Sequence, residues 1–392
     1  MRILLTGTFP FPEGGGGAST ALHMQAKGLS EDGHSVKVVV SQSSLHSPPD
    51  YLDGFQLKVF TVLGKGCCEL MRRFYWITGQ FGVLLYLFRS IVTRQFDSII
   101  FYGGAPIFAL AAVLGKLLNN HTCFFQGDIV DNHQYFTVTS EKILLRNVSL
   151  VLIGGSSLLE KRLVEIAPAN TFFRLWPITY TDFFGSGNAN RAKKKHVLDN
   201  KRIIVYTGAI SRLEGIDFLI ESMKHVVSKY PSARLVIAGR ILERDPVNGE
   251  PIDYQSLINK LDLTSNVMLV GLLRISEVAD LLASADVLVN PKIDHLINRM
   301  AVPIKIGEYL ASGRPIVTTP VCDLDKWLTD REHVLFCKPG DSESLAEGIC
   351  AILSDINLSA RLSHNGAIVA RQHCDYRVWS KRVAEMIKLS EH

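Results

Sequence analysis

The stretch VPIKIGEYLASGRPIVTTP, residues 302–320, reads as a short helix that passes directly into a buried strand. Pro303 suits a first helical turn, Gly313 suits the position just past a helix end, and Arg314-Pro315 leads into the β-branched run of PIVTT. Such a helix-to-strand passage marks a parallel sheet with crossover helices. Lys305 and Glu308 are three apart and share one helix face. A lysine in the first turn opposes the helix dipole, so an anion beside it is expected, and a diphosphate is such an anion. The Glu308 carboxylate can accept two hydrogen bonds, which suits the vicinal hydroxyls of a ribose. An ordinary surface salt bridge accounts for the same spacing.

Outward from this stretch the same rhythm recurs. RIIVYTG, ARLVIAG, NVMLVG, DVLVNP and RPIVTTP read as the strands of one sheet, with helices beginning near Ile216, Tyr254, Ser276 and Pro303. In the first half RILLTGT, SVKVVVS, DSIIFYG, TCFFQG and SLVLIGG read as five buried strands, and residues 18–32, 105–118 and 156–166 as helices. The fold class is therefore α/β, with two Rossmann-like domains, as 392 residues favour. Residues 176–201 lose the alternation and gather Pro, Gly, Asn and the basic run RAKKK, which reads as a solvated linker. The expected domains are 1–190 and 191–366. The amphipathic last helix, 367–392, is expected to pack back across the first domain.

Composition excludes more than it names. A hydrophobic share of 47 %, a charged share of 20 % and a net charge of +4 describe an ordinary globular chain with no nucleic-acid partner. Seven cysteines form no CxxC pair and no Cys/His ligand set, so no metal site and no disulfide framework are expected. MRILLTGTFPFPEGGGG leaves no room for the apolar region of a signal peptide, and the cytosol is the expected compartment. WITGQFGVLLYLF, residues 76–88, is too short to cross a membrane and reads as a buried helix. The alternative is a monotopic helix at the inner face of a membrane, because Arg72, Arg73, Arg89 and Arg94 flank it.

Further residues suit a ligand. In TFPFPEGGGGAST, Gly15, Gly16 and Gly17 allow close backbone approach to a phosphate at a helix start. The loop fails the GxGxxG spacing of nicotinamide binding, and a flexible surface loop is the alternative. Asp128 and His133, in QGDIVDNHQ after a strand end, could orient an acceptor hydroxyl or cap the loop. Asp323-Leu324-Asp325 resembles a metal-binding DxD but follows the last strand of the second sheet, where a helix N-cap is the better reading.

Residues 302–320 resemble the nucleotide-binding signature of retaining glycosyltransferase family 4, in its P-x-K-x-x-E-Y-L-A form. IVYTGAISRLEGIDFLIESM, ARLVIAGR and VMLVGLLRISEVADLLASADVLVNP resemble the preceding parts of that family's donor domain, and GGGGASTALHMQAKGLSEDGHSVKVVV its N-terminal loop and helix. Between about residues 45 and 140 the likeness is weak. The resemblance implies a GT-B fold, with two Rossmann-like domains facing a central cleft. It further implies transfer of a sugar from a nucleotide-diphosphate donor to a hydroxyl acceptor, with retention and without metal or other cofactor. The acceptor classes it suggests are surface polysaccharide, lipid-linked glycan and glycolipid precursors. It places Gly208, Arg212, Gly239, Arg240, Lys305, Ile306 and Glu308 at the donor, with Arg212 and Lys305 as the catalytic cations, and Asp128 of the loop above is the further catalytic candidate. Departures stand at Ala209 and Glu214, where members carry Arg and Lys, and at Met300, where many carry an acid. Arg212 is expected to take over the missing charge, and Asp294 or Asn298 are the candidates for the missing acid. Alternative functions are a sugar-nucleotide epimerase and a non-catalytic nucleotide-sugar-binding subunit.

Overall fold

The structure is a computed structural model that describes residues 1–12, 16–43, 48–62, 69–126, 135–246 and 248–390. It divides into two compact units: residues 1–178 with 376–392, and residues 179–375.

The first unit is an eight-stranded sheet. Its strands are β1 (Arg2–Phe11), β2 (Ser35–Ser43), β3 (Tyr51–Leu52), β4 (Phe55–Val62), β5 (Ser98–Tyr102), β6 (His121–Gln126), β7 (Leu150–Ile153) and β8 (Thr171–Arg174). Their order is β3-β4-β2-β1-β5-β6-β7-β8, parallel throughout except for the β3/β4 hairpin. The sheet thus has three strands beyond the five expected. Asp53-Gly54, both at positive φ, make the two-residue hairpin turn that joins β3 to β4, a signal present in the sequence but unread. Among the described residues the helices that alternate with these strands are α1 (Gly16–Glu31), α2 (Glu69–Val92), α3 (Pro106–Leu117), α4 (Tyr135–Asn147) and α5 (Ser157–Ile166).

The second unit holds the strands β9 (Arg202–Thr207), β10 (Ala233–Ala238), β11 (Val267–Gly271), β12 (Val287–Asn290), β13 (Ile316–Thr318) and β14 (Leu335–Phe336). All are parallel, in the order β11-β10-β9-β12-β13-β14. The first of its helices are α6 (Thr181–Gly185), α7 (Ala189–His196), α8 (Ile216–Lys229), α9 (Tyr254–Lys260) and α10 (Ile275–Ser284). After β12 come α11 (Leu296–Met300), α12 (Lys305–Ala311), α13 (Leu324–Trp327), α14 (Ser342–Ser354) and α15 (Ile356–Val369). Its core runs from Ile204, Leu235 and Val287 of the strands to Leu219 and Met223 of α8 and Ile349 of α14, all fully buried.

Three expectations need correction. The boundary falls after Ile178, about a dozen residues before the expected position, and the basic run is helix rather than linker. Asn188 caps α7 through the N–H groups of Asn190 and Arg191, while Arg191 and Lys195 pair with Asp280 and Glu277 of α10. Capping and ion pairing order a polar segment that has no apolar rhythm to read. Residues 76–88 belong to α2, which buries only one face: Val83, Leu87 and Ile91 are inside, whereas Ile77, Phe81, Leu85 and Phe88 are each more than half exposed.

The last helix, α16 (Tyr376–Ser390), belongs to the first unit and lies on α1. Its buried face is Tyr376, Trp379, Val383 and Ile387, and Gly28 of α1 lets the two helices approach closely at Ser380.

Candidate functional site

The second sheet changes its winding direction between β9 and β12, and open parallel sheets bind ligands there, beyond the carboxyl ends of the strands. The segment after β9 carries Gly208, Arg212 and Glu214, and the segment after β12 carries Lys292 and leads through α11 to Lys305 on α12.

Glu214 stands at the centre. Its Oε1 accepts from Lys292 Nζ at 2.9 Å and its Oε2 from Lys305 Nζ at 2.6 Å. The side chains of Glu214, Lys292 and Lys305 are only 14, 11 and 13 % exposed. Burial pushes the Glu214 carboxyl up, but Lys305 and Lys292 outweigh it and hold the group down at about 2. Lys305 is lowered from the ordinary lysine range by burial, an effect Glu214 opposes and Lys292 reinforces. Lys305 Nζ also lies 4.3 Å over the Tyr206 ring and donates to its hydroxyl at 2.7 Å, and that hydroxyl donates to the Ala209 carbonyl at 2.6 Å. Lys292 donates in addition to Asn298 Oδ1 at 3.0 Å. An ammonium has three N–H donors, so each lysine keeps one for a ligand.

Glu308 lies one turn along α12 from Lys305. It is partly exposed, with its carboxyl pushed up to about 7 by burial against the opposing pull of Lys305. The neighbouring Tyr309 hydroxyl accepts from the Thr207 N–H at 2.8 Å and so ties α12 to the end of β9. Gly208 lies at φ +133°, where any side chain would be strained, and a Cβ there would sit 2.6 Å from Lys305 Nζ and push that ammonium aside. Gly239 is required by its backbone, at φ +147°, and by packing, because a Cβ would run into the Gly208 carbonyl oxygen.

The other expected residues are placed differently. Arg212 pairs with Asp217 at 2.9 Å and reaches Glu250 at 3.8 Å; its side chain is half exposed, and the cation paired with Glu214 beside Lys305 is Lys292. Arg240 is exposed, and its carbonyl accepts from the Ile210 N–H at 2.9 Å. The Ile306 side chain is in the core and its N–H goes to the Pro303 carbonyl at 3.1 Å. Asn298 is fully engaged, donating to the Leu213 carbonyl at 2.6 Å and that of Ile293 at 2.9 Å, while Asp294 pairs with Arg299. Asp323 occupies the N-cap position of α13 without a side-chain cap bond and pairs with Lys326 instead. Gly16 and Gly17 open α1, whereas Gly15, Asp128 and His133 lie outside the described residues.

Residues 201–355 match the family model described as Glycosyl transferases group 1. An uncharacterized glycosyltransferase of Methanocaldococcus jannaschii is 28 % identical over 160 residues, 41 % of this chain and 37 % of that protein. The capsular polysaccharide biosynthesis glycosyltransferase CapM of Staphylococcus aureus is 25 % identical over 189 residues, 48 % of this chain and 46 % of CapM. The chain thus spans less than half the length of these relatives. Among solved structures, Anabaena HepE in complex with UDP superposes with a TM-score of 0.74 at 16 % identity, covering 99 % of this chain and 100 % of that one. WaaG, a glycosyltransferase involved in lipopolysaccharide biosynthesis, superposes with a TM-score of 0.68 at 16 % identity, covering 98 % and 99 %. The fold is that of the GT-B glycosyltransferases, and within it residues 201–355 are the part similar to the glycosyl transferases group 1 model.

Proposed function

We propose that the protein transfers a sugar from a nucleotide-diphosphate donor to a hydroxyl acceptor, with the diphosphate at Lys305 and Lys292 and the ribose at Glu308. The observation that carries this reading is the convergence of two buried lysines at the winding switch of the second sheet, each with a spare N–H. As the sugar leaves, negative charge grows on the diphosphate. Preorganised cations in a recess stabilise that charge more than they stabilise the ground state. Lysines supply the positive charge in this scheme, so no metal ion is needed, and the anomeric configuration is retained. The names of the similar proteins support the reading: HepE was crystallised with UDP and with UDP-glucose, and CapM and WaaG serve glycan synthesis. A surface or lipid-linked glycan precursor is the acceptor class that fits them.

The test is turnover across a panel of nucleotide sugars and glycan acceptors, in the presence of EDTA, with the product anomer read by NMR. Lys305→Ala and Glu308→Ala are each expected to cut turnover by about a hundredfold or more while far-UV circular dichroism is unchanged. Retained turnover in either variant refutes the site. One observation favours a second reading, a nucleotide-sugar-binding subunit without turnover: Glu214 stands where the resemblance places a lysine, and it leaves the cluster only one net positive charge. Donor binding by calorimetry with no transfer to any acceptor supports that alternative.

A further inference from the structure

We propose that α2 is a membrane-surface helix, seated on anionic lipid by the face it does not pack against its own sheet. Ile77, Phe81, Leu85, Phe88 and Val92 recur at intervals of four, four, three and four residues, so they form one stripe along the helix, and they are 50–60 % exposed. The opposite side is also apolar, with Val83, Leu87 and Ile91 fully buried. A helix that is apolar on its buried face needs polar residues on the other if water is to cover it. Here five large apolar side chains stand in their place. The neighbouring helix α3 adds Leu110 and Leu117, 62 and 74 % exposed and two turns apart.

Charge identifies the occupant. Between Glu69 and Leu118 the chain carries Arg72, Arg73, Arg89, Arg94 and Lys116 against only Glu69 and Asp97. Asp97 is already neutralised by Arg2 at 2.7 Å. Arg89, Arg94 and Lys116 are exposed. An apolar stripe bordered by cations fits the boundary between anionic headgroups and acyl chains, where each contribution alone is weak and the two together hold. A second copy of this chain would bring the same positive charge against itself. No helix among the described residues is long and apolar enough to cross a membrane, so α2 would lie in the surface.

The test is vesicle flotation of the full chain with phosphatidylcholine alone and with phosphatidylcholine containing phosphatidylglycerol. Binding to the anionic vesicles is expected, weakened but not abolished by salt. The double variant Phe81→Ser, Phe88→Ser is expected to lose binding by roughly tenfold or more, and Arg89→Gln to lose it only for anionic vesicles. An unchanged melting temperature and unchanged far-UV circular dichroism show that the variants are folded. The inference fails if the wild type floats with neither vesicle or if the double variant floats like the wild type. It also fails if sedimentation velocity shows a wild-type dimer that the double variant dissolves, since the stripe is then covered by a second copy. The sugar-transfer reading is untouched by any of these results.

Discussion

A single carboxylate decides the electrostatics of the candidate site. Glu214 is the only counter-charge bonded to Lys292 and Lys305 among the described residues, and removing it leaves two ammonium groups facing each other in a recess. Glu214→Gln is therefore expected to destabilise the second unit by about 3 kcal/mol, measured by urea unfolding. The sign with pH follows from the depressed carboxyl. Its contribution is present above the ordinary glutamate value of 4.5 and is lost as pH falls toward about 2, and the Gln variant is expected to lack this acid-sensitive part. Glu308 runs the other way. Its carboxyl is raised to about 7, so the folded state loses stability as pH climbs from 4.5 to 7 and is level beyond. Only the ionised form accepts both ribose hydroxyls, so nucleotide affinity by calorimetry is expected to rise as pH passes 7, and Glu308→Gln is expected to flatten that rise. Lys305 and Glu308 were legible in the sequence because one helical turn relates them. Glu214 and Lys292 stood there as a departure and an unremarked residue, 78 positions apart, and nothing local joins them.

At the scale of elements, the regular strands and the longer helices were read from period and branching, since those features act within one segment. The elements missed differ in kind. The strand β4 alternates Phe55, Leu57 and Val59 with Gln56 and Lys58 and pairs with β2, a period-two signal the sequence does carry, whereas α7 has no apolar face and depends on its cap and on α10. Asn188→Ala should thus cost about 1 kcal/mol, seen as a lower urea midpoint. No such loss would mean that the pairs of Arg191 and Lys195 with α10 hold the helix unaided. The helix α2 was read as buried because its period is apolar all round, and the structure exposes one of its faces.

At the scale of the molecule, the chain returns to its first unit through α16, which buries Trp379 at 2 % exposure and donates its indole N–H to the Trp176 carbonyl at 2.9 Å. Trp379→Ala is expected to lower the stability of that unit by about 3–5 kcal/mol in calorimetric unfolding, while nucleotide binding by the second unit persists. Equal shifts in both units' transitions would show that they unfold as one. By itself the sequence determined the two α/β sheets and the placing of Lys305 and Glu308 on one turn after Pro303, because period, branching and helix-end chemistry are properties of neighbours along the chain. Only the tertiary structure decided that Lys305 answers to Glu214, 91 residues away, that Lys292 rather than Arg212 stands beside it, and which face of α2 is left exposed. Ion pairs and burial depend on what folds against a residue, and that is set by the winding of the sheets.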